Sequence, residues 1–138
     1  MFKMTFVPRV NETNAAGHIS NTTLPIWLEE ARDPIFKVFN PELDFANWPL
    51  ILAHIDLDFI RQVHFGSDVV IRTFVKDVGN SSVTVLQEAW QKAELVARGT
   101  AVLVHFDYKI QKTAPIPEMV RKTLEKHQLE GHEVIHNH

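Results

Sequence analysis

The 138-residue sequence contains no cysteine. This removes disulfide staples, thiolate nucleophiles, cysteine-ligated zinc and iron–sulfur clusters together, and it fits a reducing, cytoplasmic setting. No run reaches the roughly 18 consecutive apolar residues of a membrane-spanning helix, so no membrane partner is expected. The first residues lack a basic segment followed by a long apolar core, and they do not read as a signal peptide. Neither sign of charge dominates. The 14 basic and 17 acidic residues leave a formal net charge of −3, without the basic face that a nucleic-acid partner requires. Repeats and low-complexity segments are absent as well. What is present is 45% hydrophobic residues in a chain of single-domain length, enough to bury on the order of two-thirds of its unfolded surface. That apolar content excludes a disordered chain.

Periodicity then places the elements. Phe2, Met4 and Phe6 alternate with Lys3 and Thr5, the period of a half-buried strand. A polar loop over 11–21 leads into a helix. Thr22 or Thr23 is placed to cap it, and Pro25 suits its first turn. Leu24, Leu28, Ala31 and Ile35 form its apolar stripe, widened by Trp27 and Val38. Pro34 removes the bond to the Glu30 carbonyl and predicts a kink or an early stop. After an irregular stretch over 40–49 the period becomes two. Ile51, Ala53, Ile55, Leu57 and Phe59 share a face expected to meet the helix, with His54, Asp56 and Asp58 opposite. Strands follow from Val69, from Val83 to Trp90 and from Leu95 to Tyr108, separated by turns at Gly79-Asn80-Ser81 and Gln91-Lys92-Ala93-Glu94. Gly99 inside the last strand predicts a bulge or a close backbone approach. A short helix with Met119, Val120 and Leu124 as its apolar contacts closes the domain, expected over 1–128. A polar tail with three histidines follows over 129–138. Short turns imply antiparallel neighbours, so the class is α+β, with a five-stranded sheet against one long helix. A second apolar face or an open edge would call for self-association.

The run Glu12-Thr13-Asn14-Ala15-Ala16-Gly17-His18-Ile19-Ser20-Asn21, followed by Trp27-Leu28-Glu29-Glu30-Ala31-Arg32, resembles a loop and helix of known proteins. They are the Asp-Thr-Asp-x-x-Gly-His-Val-Asn-Asn loop and Leu-Glu-Glu-Ala-Arg helix of the hot-dog fold thioesterases, the 4-hydroxybenzoyl-CoA thioesterase-like family. Ile55-Asp56-Leu57-Asp58-Phe59-Ile60-Arg61 running into Gly66-Ser67-Asp68-Val69-Val70, Val96-Ala97-Arg98-Gly99 through Asp107, and Ala114-Pro115-Ile116-Pro117 extend the likeness over residues 4–126. The resemblance implies an antiparallel sheet wrapped around a long helix, a homodimer or homotetramer with active sites at subunit boundaries, and hydrolysis of acyl-CoA. It implies no cofactor beyond acyl-CoA as substrate.

Thioester hydrolysis needs an activated water or a nucleophile, and donors aimed at the oxygen where charge develops. The resemblance puts Asn14 where many relatives carry a carboxylate, and Asn21 where they present an N–H donor. An amide cannot accept a proton at neutral pH, although its oxygen and nitrogen can orient a water. Three readings follow. Asn14 positions water while another group takes the proton, the protein binds acyl-CoA without turning it over, or the reaction differs. A dehydratase lacks its His-Phe-Pro-type motif here. His18 is a candidate acid or base, with loop fixing as the plainer role. Gly17 and Ile19 shape the substrate side of the loop. Arg32 is a candidate phosphate contact or a structural ion-pair partner. His54, Asp56 and Asp58 recur every second residue, about 6.5–7 Å apart, too far to converge on a metal, so no metal site is assigned. Asp58 becomes the replacement base if a bulge turns it inward. His64 and His105 read as strand surface or interface residues. Phe36, Phe39, Phe45 and Trp48 read as core first and as acyl-pocket walls second.

Overall fold

A computed structural model describes residues 1–42, 44, 46 and 48–128. The histidines of the 129–138 tail and Phe45 lie outside the described residues. In chain order the elements are β1 (Phe2–Phe6), α1 (Thr23–Ala31), α2 (Asp33–Phe39), β2 (Leu50–Phe59), β3 (Val69–Val78), β4 (Ser82–Gln91), β5 (Glu94–Asp107), β6 (Lys112–Thr113) and α3 (Glu118–Glu125). The sheet runs β1-β3-β4-β5-β2, with the two-residue β6 paired to the end of β5. All its ladders are antiparallel, and the fold is the expected α+β hot-dog. No helix among the described residues is long and apolar enough to cross a membrane.

The helix departs from a single long rod, and Pro34 is the reason. It has no N–H to return to Glu30, and the chain breaks at Arg32 (φ −85°, ψ −6°) into α1 and α2. The carbonyls exposed by the break are taken up by the sheet. Gln87 Nε2 donates to the Leu28 carbonyl at 2.9 Å, and Thr73 Oγ1 donates to the Ala31 carbonyl at 3.4 Å. Gln87 Nε2 also donates to Thr73 Oγ1 at 3.1 Å, while Arg32 Nη1 donates to Gln87 Oε1 at 3.1 Å. Arg32, Thr73 and Gln87 are all buried. They separate two apolar clusters. One gathers Leu24, Trp27, Leu28 and Ala31 against Val69, Ile71, Ala89 and Ala97, and the other gathers Ile35 and Leu124 against Val75, Val83, Val85 and Leu103.

Strand β2 is an edge strand, and most of it is solvent-exposed. Its register against β5 slips between Leu52 and His54. The bulge moves Ile51 off the face shared by Ile55, Leu57 and Phe59, because each inserted residue inverts the alternation. Ile55 pairs with Ala101, Leu57 with Gly99 and Phe59 with Ala97, the inward positions of β5. The helix does not reach them all: Ile55 stays 42% exposed and Phe59 52%, which corrects the expectation that this face is covered. Gly99 meets the predicted close approach, since a Cβ there would stand 2.4 Å from the Asp56 carbonyl oxygen. On the outer face, Lys3, Arg72, Glu88, Arg98 and Asp58 lie side by side across all five strands. The Arg72 guanidinium lies 5.3 Å over the Trp90 ring.

Candidate active site

The loop entering α1 is organised by Asn14. Its N–H donates to the His18 carbonyl (2.7 Å), and the Gly17 N–H donates back to the Asn14 carbonyl (3.1 Å). Its side-chain Oδ1 accepts from the Ala16 N–H at 3.0 Å and the His18 N–H at 3.3 Å. Gly17 adopts φ +80°, a left-handed conformation that glycine takes without a Cβ penalty. Both lone pairs of the Asn14 amide oxygen are spent on this turn, and its Nδ2 has no partner among the described residues.

Two further ties hold the loop. Glu12 Oε1 accepts from the Arg9 N–H at 2.8 Å, and Oε2 accepts from Arg9 Nη2 and Trp27 Nε1, each at 3.2 Å. Burial alone would raise the Glu12 carboxyl, but the bonds from Arg9 and Trp27 outweigh it and hold the group below its ordinary value. On the other side, the Ile19 N–H donates to the Val63 carbonyl at 2.7 Å. The His18 and His64 backbones form an antiparallel bridge, with their rings edge to face at 4.8 Å. Gln91, itself buried, fastens the far side by accepting from the His64 N–H at 3.0 Å and donating to the His64 and Ser67 carbonyls at 2.8 and 2.9 Å.

These ties shape a cleft of about 950 Å³ at the edge of the sheet. Asn14, Ile19, Ser20 and Asn21 line one side, Phe59 to His64 another, and the turn at Gln91 and Lys92 closes the end. Leu24, at the start of α1, and Val96 contribute apolar surface. Thr22 precedes α1, but its hydroxyl meets Ser20 Oγ at 2.8 Å instead of a helix N–H, so the predicted side-chain cap is not made. Asn21 carries no hydrogen bond among the described residues. Its free N–H, just ahead of the positive end of the α1 dipole, is a donor available to a developing oxyanion. Arg61 Nε pairs with Glu94 Oε2 at 3.4 Å across the cleft mouth, where both side chains are exposed.

A family model described as the thioesterase-like superfamily matches residues 8–124. The chain belongs to this superfamily. Among solved structures, a predicted thioesterase from Bacillus stearothermophilus superposes with a TM-score of 0.90 at 36% identity, covering 94% of this chain and 97% of that one. A thioesterase from Thermus thermophilus, complexed with coenzyme A and zinc, shares the fold with a TM-score of 0.79 at 23% identity, over 88% and 95% of the two chains. The uncharacterized protein YsmA of Bacillus subtilis (strain 168) is 32% identical over 77 residues, which is 56% of this chain. That match spans 52% of the length of YsmA, about half.

Of the residues singled out in this thioesterase-like sequence, Asn14, Ile19 and Asn21 line one cleft, and Gly17 and His18 stand in the loop behind them. Three expectations are corrected. Arg32 is 2% exposed and reaches Gln87 inside the core, so it does not line the cleft or meet a phosphate there. Burial lowers its guanidinium, while Glu29 and Asp33 pull the other way. Asp58 pairs with Arg98 on the outer face and lines a separate depression of about 170 Å³ with Asp56, Lys76 and Thr100. The bulge sits ahead of His54, so the alternation past it leaves Asp56 and Asp58 turned outward, away from Asn14. Asp56 is occupied there, accepting from Thr100 Oγ1 and contacting His54 Nε2 at 3.3 Å. The Thr100 bond holds its carboxyl below the ordinary value against a burial penalty, with help from His54. No group of three or more His, Asp or Glu among the described residues is arranged to hold a metal ion. The Phe36 ring meets Trp48 and the Phe39 ring meets His105 at tilted angles, with Phe36 and Phe39 packed on the second core cluster. They do not wall the cleft. Its apolar walls come instead from Ile19, Leu24, Phe59, Ile60, Val63 and Val96. His64, Gln91 and Lys92 were not legible as site residues, because only the folded chain brings them to Asn14.

Proposed function

We propose that the protein hydrolyses acyl-CoA thioesters to a free acid and CoA in this cleft. The observation that carries the reading is that Asn14 and Asn21 line one wall of the cleft together with Leu24 of α1, each with an N–H donor unpaired among the described residues. With Asn14 Oδ1 held by the loop, Nδ2 is the end that orients the attacking water or the thioester, and the Asn21 N–H meets the developing oxyanion. A CoA thioester fits the apolar walls for its acyl group and Lys92 at the end of the cleft for its anionic groups. The coenzyme A bound to the Thermus thermophilus relative supports the same assignment.

The exposed outer edge of β2 is where a second copy pairs in this reading. A ten-residue strand presenting Leu52, Ile55 and Phe59 at 42–52% exposure is a poor edge to leave in water. Phe59 and Ile60 belong to both this edge and the cleft, so pairing as a homodimer, or within a homotetramer, places the site at the subunit boundary.

Free-thiol release from aryl, short-chain and long-chain acyl-CoAs tests the activity. Asn14→Ala is expected to lower kcat by about tenfold or more, in line with the loss of a positioned donor. A second reading, acyl-CoA binding without turnover, is favoured by one observation: the lone pairs of Asn14 Oδ1 are already occupied. A carboxylate accepts the same two N–H groups, so Asn14→Asp fits the loop. Wild-type protein that binds acyl-CoA without releasing thiol, together with an active Asn14→Asp variant, decides for the binder.

A further inference from the structure

Hydrolysis leaves one task unassigned: a group must take the proton from the attacking water, and an Asn14 amide cannot. Four titratable side chains line the cleft, namely Arg61, His64, Lys92 and Glu94. Arginine and lysine side chains are cations at neutral pH and do not accept protons. Glu94 is engaged with Arg61 at the exposed mouth. His64 remains. We propose that His64 is the catalytic base of this cleft, an inference that rests on the thioesterase reading and assigns the group it lacks.

The surroundings of His64 are built to hold it. Its N–H and its carbonyl are both bonded to the side-chain amide of Gln91, which is 5% exposed and is further anchored on Ser67. A buried polar side chain bonded to both backbone groups of one residue fixes that residue's backbone position. The ring of His64 packs edge-on against His18 at 4.8 Å, and the His18 N–H is bonded to Asn14 Oδ1. His18 thus stands between the His64 ring and the Asn14 loop, joining the two sides of the cleft. Neither imidazole is hydrogen-bonded within the protein among the described residues. A ring nitrogen of His64 is thus available to a water molecule in the cleft.

The step balances without a further reactant. A water oxygen attacks the thioester carbonyl carbon while one of its protons passes to the His64 imidazole. The tetrahedral intermediate collapses, the C–S bond breaks, and the imidazolium returns the proton to the departing sulfur. The products are the acid and the free thiol, and His64 is regenerated. Gln91 is a positioning residue in this scheme, touching His64 and not the substrate.

The test compares wild type, His64→Ala and His64→Gln on whichever acyl-CoA the wild type turns over best, with melting curves to confirm folding. General-base removal is expected to lower kcat by about 10²-fold or more with KM changed by less than about threefold. Imidazole added to the buffer should restore a saturable part of the His64→Ala rate and leave wild type unchanged, which loss of a merely structural histidine would not do. A kcat within about threefold of wild type in a folded variant overturns the assignment, and so does a loss that imidazole fails to restore. Should His64→Ala not fold, His64→Gln carries the same comparison of kcat. A wild type that releases thiol yet is indifferent to His64 refutes only this inference, whereas one that hydrolyses no thioester refutes the proposed function and this inference together.

Discussion

Replacing Gln87 with leucine perturbs the place where the helix break is sealed against the sheet. The side chain donates to the Leu28 carbonyl and to Thr73 Oγ1 and accepts from Arg32 Nη1. The bond to the guanidinium is worth about 2 kcal/mol and each neutral bond about 1 kcal/mol, while the added apolar surface of leucine offsets about 1 kcal/mol. Arg32 would be left a buried cation whose Nε already lacks a partner among the described residues. Breaking a buried charged contact from one side is costly, so the net loss is placed at about 3–4 kcal/mol. Across 138 residues the unfolding entropy near the midpoint is about 0.29 kcal/mol/K, and Tm should fall by about 10–14 °C. Thermal melts followed by circular dichroism at matched protein concentration measure it, since association also shifts Tm. The double variant Arg32→Met with Gln87→Leu removes the stranded charge and should regain more than half of the loss. A single variant melting within about 3 °C of wild type would refute the reasoning, as would a double variant no more stable than the single.

Two further outcomes follow from other parts of the fold. Gly99→Ala drives a methyl group against the Asp56 carbonyl and the Leu57 backbone. It should cost about 1–3 kcal/mol and weaken self-association along β2, read by denaturant melts and sedimentation; an unchanged midpoint and mass would contradict it. Glu12 is held below its ordinary value of 4.5 in the folded chain, so the unfolded chain takes up its proton first. Its contribution is complete above about pH 4.5 and is lost as pH falls through the depressed folded value. Glu12→Gln should therefore lower stability at pH 7 and narrow the gap to wild type on acidification, and a gap that stays constant from pH 7 to about pH 3 would argue against it.

Much of the fold was legible because burial on one side of a strand writes itself as alternation. Phe2, Met4 and Phe6 marked β1, and the turns at 79–81 and 91–94 fell where the hairpins reverse. The break at Arg32 followed from the missing N–H of Pro34. The resemblance identified the Asn14 loop, and the loop does line the cleft. The same alternation carries one further signal. Val83, Val85, Gln87 and Ala89 share the inward face of β4, so parity alone marked Gln87 as a buried amide in want of partners. No such signal existed for the bulge at Ala53 or for His64. An inserted residue is invisible until a register is known. His64 acquires a role only beside His18, forty-six positions earlier in the sequence.

The missing cysteines, the strand periods and the proline break are properties of the sequence alone, because each depends on a residue and its near neighbours. Tertiary structure decided what meets across long separations. It set the order β1-β3-β4-β5-β2, which leaves β2 at an open edge. It committed Arg32 to the core and turned Asp58 to the outer face. It also brought His64 into the cleft beside Asn14. Local pattern says which side of an element is buried. The partner on that side is selected only when the whole chain closes its loops and packs.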